Sequence, residues 1–166
     1  MDYKAKYPEV HKMLKQYKNA PYWIEAKKKR IKEKESARRE FSELRATCMS
    51  GMPGNGGTSD PTAGYTEQVD FLTTTINELT AQIQELEQFI DYVENLILQC
   101  FNGEDSNEAK ILFLKFRDGK DDDKYIYCEL KIHRNTLNNL WPVIYSKIDS
   151  WINFNMQNCA GLCKHV

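Results

Sequence analysis

Residues 69–97 read VDFLTTTINELTAQIQELEQFIDYVENLI, and the spacing of the apolar side chains in this stretch decides the fold. Val69, Leu72, Ile76, Leu79, Ile83, Leu86, Ile90, Val93 and Ile97 follow one another at alternating intervals of three and four residues, the period at which an α-helix presents one narrow stripe. The a positions (Val69, Ile76, Ile83, Ile90, Ile97) are all β-branched and the d positions are Leu72, Leu79, Leu86 and Val93. In parallel coiled coils that choice favours two strands. The e and g positions are mostly Thr, Gln and Glu, so no pattern of opposite charges sets an orientation. The stripe demands a partner helix. A second copy of the chain would supply one, in a homodimer or higher oligomer, and so would the chain's own preceding helix folded back antiparallel.

Moving toward the N-terminus, residues 48–65 form a connector. Ser50-Gly51-Met52-Pro53-Gly54-Asn55-Gly56-Gly57 and Asp60-Pro61 are turn and breaker residues with little to bury. No Gly-Lys-Ser/Thr follows these glycines and no strand precedes them, so a phosphate-cradling loop is a poor reading. Residues 1–47 form a basic helical arm. Within it Pro8, Val10, Met13, Leu14 and Tyr17 predict a short helix with proline in its first turn, ended by Asn19-Ala20-Pro21. A second helix is expected from Tyr22 to Thr47, with Trp23, Ile24, Ile31, Ala37, Phe41 and Leu44 as a thin apolar stripe.

Charge is partitioned along the chain although the net value is only −1. Residues 1–45 hold fourteen Lys and Arg against seven Asp and Glu, whereas residues 46–103 hold no Lys or Arg and eight acids. The basic arm can therefore meet either a phosphate backbone or the acidic heptad helix of residues 66–101.

Toward the C-terminus, residues 104–154 predict three helices. Asn102-Gly103 breaks the heptads, Asp105 with Glu108 can cap a helix burying Ala109, Leu112, Phe113 and Phe116, and Asp118-Gly119 closes it. Asp121-Asp122-Asp123 opens a short helix burying Ile126 and Leu130, and Lys131-Ile132 turns the chain. The last helix starts near His133 and turns Leu137, Leu140, Trp141, Ile144, Ile148, Trp151 and Ile152 inward. Two helices joined by a tight turn match a helix-turn-helix, whose second helix enters the major groove of duplex DNA.

The candidate base readers are Arg134, Asn135, Asn138 and Asn139, off the apolar stripe at the start of that helix, flanked by Lys131 and His133. Arg can bridge guanine O6 and N7, and Asn can bridge adenine N6 and N7. Two features weigh against it. Residues 104–153 carry eight basic against nine acidic side chains, and Pro142 falls where it should bend or restart the helix. Phosphate contacts would then come from Lys27, Lys28 and Arg30 or from a dimer partner. The competing reading of all these side chains is a solvated helix face.

Five cysteines, odd in number and scattered, suit reduced thiols and a cytoplasmic location. In the tail of residues 155–166, Cys159, Cys163 and His165 offer three soft ligands, one short of a zinc site, and read as ordinary thiols and a terminal histidine. No cofactor is expected. No apolar run is long enough to span a bilayer and no signal peptide is read, so no membrane association is expected. His11, His133 and His165 sit apart from any nucleophile and orienting group, so no enzyme is expected.

The layout resembles the RinA/ArpU family of phage late-gene transcriptional regulators, whose C-terminal part is similar to the promoter-reading domain of sigma factors. The shared order is a charged helix, the Ser50-Gly51-Met52-Pro53 connector ending in Ser59-Asp60-Pro61, a heptad helix and a helix-turn-helix. Leu112-Phe113-Leu114-Lys115-Phe116-Arg117-Asp118-Gly119-Lys120 also looks like that family's Leu-rich helix and closing turn. Here His133 stands where the family has a Ser or Thr cap, and Pro142 lies inside the reading helix. The resemblance implies control of late or packaging genes in the cytoplasm of a bacterial host. The alternatives are an adaptor that docks on another protein such as RNA polymerase without reading DNA, and a ring-forming DNA-packaging subunit of the small terminase kind.

Overall fold

The computed structural model describes residues 3–50 and 61–162, and no strand occurs among them. The fold is all-α: α1 (Tyr3–Lys6), α2 (Pro8–Ser50), α3 (Pro61–Cys100), α4 (Asn107–Leu112), α5 (Asp123–Glu129) and α6 (Arg134–Leu162), with one turn of π-helix at Phe113–Arg117. Among the described residues no helix is long and apolar enough to cross a membrane.

Helix α2 passes without interruption through Pro21, where the sequence predicts an end and a restart. Proline there lacks the N–H that would donate to the Tyr17 carbonyl, and its ring crowds that turn, at a cost of about 3 kcal/mol relative to Ala. Burial on both sides outweighs this penalty. Val10, Leu14, Tyr17 and Ala20 are buried before the proline and Ile24 after it. Helices α2 and α3 also extend into the expected connector, to Ser50 and from Pro61, and the remaining connector residues lie outside those described.

The chain divides into two compact units, one of residues 21–88 and one of residues 1–20 with 89–166. In the first, α2 and α3 form an antiparallel hairpin. The Lys27 ammonium donates to the Gln82 amide oxygen, Lys28 pairs with Glu87 at 3.4 Å, and the Phe41 and Tyr65 rings lie 6.3 Å apart. Ile24, Leu72, Ile76 and Ile83 are buried along the seam. Trp23 and Leu44, expected in the α2 stripe, are exposed instead. Adjacent helical residues point about 100° apart. Ile24 therefore takes the seam and turns Trp23 away.

In the second unit the first turns of α2 and the end of α3 pack on the C-terminal helices. Val10, Leu14 and Tyr17 join Val93, Leu96, Ile97 and Phe101 in one core with Ile111, Leu112 and Ile126 and with Leu137, Trp141, Ile144, Tyr145 and Ile148 of α6. Ser106, not Asp105, caps α4: its hydroxyl accepts the Ala109 N–H at 3.1 Å. The π turn shows in the Asp118 N–H donating to the Phe113 carbonyl at 2.9 Å, five residues back. Gly119 follows at φ +67°, a conformation that disfavours any side chain. Asp122 then caps α5, accepting the Lys124 N–H at 2.8 Å.

Candidate nucleic-acid interface

The turn between α5 and α6 is built by a left-handed residue. Lys131 has φ +53°, and the Ile132 N–H donates back to the Tyr127 carbonyl at 3.0 Å. The reversal tucks Ile126 into the core and leaves Leu130 and Ile132 half-buried. His133 then performs the capping that Ser, Thr or Asp usually performs, its Nδ1 accepting the Asn135 N–H at 3.2 Å.

From this start α6 is divided cleanly between inside and outside. Leu137, Trp141 and Ile144 are buried, whereas Lys131, His133, Arg134, Asn135, Asn138 and Asn139 are all exposed. Asn138 lies four residues after Arg134 and three after Asn135, so it neighbours each of them on the helix surface. The helix N-terminus adds its partial positive charge, which favours a phosphate there. The exposed side chains here are of the types, Arg and Asn, that can make paired hydrogen bonds to guanine and adenine edges. Pro142 neither bends α6 to an end nor restarts it; it is exposed and the helix continues to Leu162. Burial of Trp141, Ile144, Tyr145 and Ile148 around it offsets the lost hydrogen bond.

The second group of expected DNA contacts, Lys27, Lys28 and Arg30, lies in the other unit. Lys27 and Lys28 are engaged by Gln82 and Glu87, so α3 takes up part of the positive charge of the arm, while Arg30 is exposed. Of the heptad seam, Leu72, Ile76, Ile83, Val93 and Ile97 are buried and Val69, Leu79, Leu86 and Ile90 half-buried, all within a single chain. The expected tail ligands Cys163 and His165, and the Cys159 side chain, lie outside the described residues. Among those described, no cluster of three metal-ligating side chains occurs.

One basic group was not legible beforehand. Lys4, Lys15, Lys18 and Lys115 line a cavity of about 280 Å³ together with Trp141 and Tyr145. The signal was present in part: His11, Lys15 and Lys18 each follow an apolar core residue, Val10, Leu14 and Tyr17, by one position, so they form a basic stripe beside the buried one. No protein-family model matches the chain, and no curated protein or solved structure matches it either.

Proposed function

We propose that this chain is a DNA-binding regulator of transcription, in which α5, the Lys131 turn and the first turns of α6 read duplex DNA in the major groove. The observation that carries this reading is the clean division of α6, which buries Leu137 and Trp141 while leaving Arg134, Asn135, Asn138 and Asn139 exposed beside a tight turn. The resemblance to the RinA/ArpU regulators extends the reading to phage late or packaging genes, with RNA polymerase as a further partner. A second reading, an adaptor that docks through its hairpin, draws on Tyr22 and Phe71, which are 73% and 63% exposed on α2 and α3.

The test is to select binding duplexes from a randomised pool and to compare the wild type with Arg134→Ala on the winner and on unselected DNA. Loss of a bidentate Arg–guanine contact costs about 1–3 kcal/mol at one position and nothing on unselected sequence. Equal losses on both would rule out base reading by Arg134. Failure to enrich any duplex would favour the adaptor.

A further inference from the structure

The face of α2 that begins at Tyr22 lies wholly in the unit of residues 21–88. Two hollows meet there and share Tyr22 and Ala26. One, of about 620 Å³, opens between α2 and α3, where Trp23, Lys27, Arg30, Glu85 and Leu86 also line it. The other, of about 610 Å³, runs along α2 over Glu25, Lys28, Lys29 and Lys32. Tyr22 is 73% and Trp23 38% exposed, and neither stacks on another ring among the described residues. Ala26 stands four residues after Tyr22, where a longer side chain would cover the ring.

Cations dominate the surroundings of these rings. Five line the two hollows, against the two carboxylates of Glu25 and Glu85. Lys28 pairs with a third carboxylate, that of Glu87, and Lys27 meets only the neutral amide of Gln82. Lys29, Arg30 and Lys32 form no ion pair among the described residues. Lys32 also lies four residues after Lys28 and three after Lys29, a spacing at which like charges destabilise a helix and which a bound anion would relieve.

The rings decide which anion fits. An acidic amphipathic helix would need apolar anchors recurring along the groove, but seven residues after Trp23 stands Arg30, so the aromatic wall is not continued. The bases of a duplex are stacked on one another and offer no face to a tyrosine ring. An unpaired strand offers open base faces and regularly spaced phosphates together, the combination that exposed aromatic rings among cations accommodate. We propose that this face of α2 binds an unpaired nucleic-acid strand, with bases stacked on Tyr22 and Trp23 and the flanking phosphates held by Lys29, Arg30 and Lys32. The site needs no contact by α6 and does not rest on the reading of duplex DNA there.

The test measures fluorescence anisotropy of labelled oligothymidylate of about 12 nucleotides with the full chain over a range of salt. Tyr22→Ala should weaken this binding about tenfold, the loss of one stacked base, and Tyr22→Phe should restore it. Affinity for a duplex of the same length should not change in either variant. A Lys29→Ala/Lys32→Ala variant should flatten the plot of log affinity against log salt by about 0.7 per lysine lost. Tyr22, Lys29 and Lys32 are all exposed, so each variant should keep its thermal midpoint. Oligouridylate of equal length identifies the strand: tighter binding than oligothymidylate assigns RNA, and weaker binding assigns DNA. The proposal is overturned by the absence of saturable binding to either single strand at low salt, by full affinity in Tyr22→Ala, or by equal losses on single strand and duplex. Polyglutamate displacing the oligonucleotide at an equal concentration of charge would also overturn it and would assign the face to an acidic protein segment. Arg134→Ala should leave the single-strand affinity intact; a loss equal to that of Tyr22→Ala would place the strand on α6 instead.

Discussion

Tyr17 ties the N-terminal turns to α3 through one proton. Its hydroxyl donates to the Glu94 carboxylate at 2.8 Å, and the side chain is 2% exposed. Burial and that carboxylate both disfavour the phenolate and raise the pKa well above the usual value of 10.0. The unfolded chain therefore loses this proton first as pH rises, so the stabilisation is complete below pH 10 and declines above it. Tyr17→Phe should cost about 1 kcal/mol at neutral pH and remove part of the alkaline decline, measured by urea unfolding on either side of pH 10. A decline identical to the wild type's would show that Tyr17 is not its source. The thiols provide a second residue-level contrast. Burial pushes Cys100 up to about 11, while Cys128 is exposed. Peptide mapping after brief alkylation near neutral pH should find Cys128 modified well ahead of Cys100, because only the thiolate reacts.

At the scale of the element, Pro21 is the most informative position. It is exposed, it interrupts the α2 hydrogen bonds, and it is the first residue of the hairpin unit. Pro21→Ala restores an N–H facing the Tyr17 carbonyl, and should raise stability by up to about 3 kcal/mol in denaturant unfolding, less whatever proline contributes by restricting the unfolded chain. A destabilised variant would mean that the ring itself is needed where the two units adjoin in sequence. Pro21 also marks the limit of what periodicity discloses. Helices α3 and α6 were legible because their apolar residues recur at helical intervals, and the exposed start of α6 followed from them, since Arg134, Asn135, Asn138 and Asn139 fall off the stripe. A local penalty such as proline's is legible too, but the burial that outweighs it is not, because Ala20 and Ile24 carry no mark of what they pack against. The π turn at Phe113–Arg117 left no trace, since shifting one hydrogen bond disturbs the apolar spacing too little to detect. The lysine cleft was hidden for a simpler reason: Lys18 and Asp121 stand 103 residues apart in sequence and meet only through the fold.

Across the whole molecule, the heptad seam now has an occupant. One helix, α3, contributes Leu72, Ile76 and Ile83 to the hairpin core and Val93, Leu96 and Ile97 to the core of the other unit, and both sets are buried by the same chain. The charge partition agrees with this arrangement: α3 carries no Lys or Arg, and α2 brings Lys27 and Lys28 to its Gln82 and Glu87. Of these two contacts only Lys28–Glu87 is an ion pair, and an exposed pair contributes only about 0–1 kcal/mol, so apolar burial holds the hairpin. A seam filled from within predicts a monomer of 19.4 kDa by light scattering, with an unfolding midpoint that does not move with protein concentration. Ile83→Ala sharpens the prediction. The residue is 7% exposed in a two-helix layer open to water on its flanks, so its loss should cost about 2 kcal/mol, the lower end for a buried Ile. That loss should appear as reduced stability at unchanged mass. Were the seam instead shared between two copies, the wild-type mass would be doubled, its midpoint would rise with concentration, and Ile83→Ala would weaken association; any of these results would mean that the hairpin opens and exchanges its partner helix.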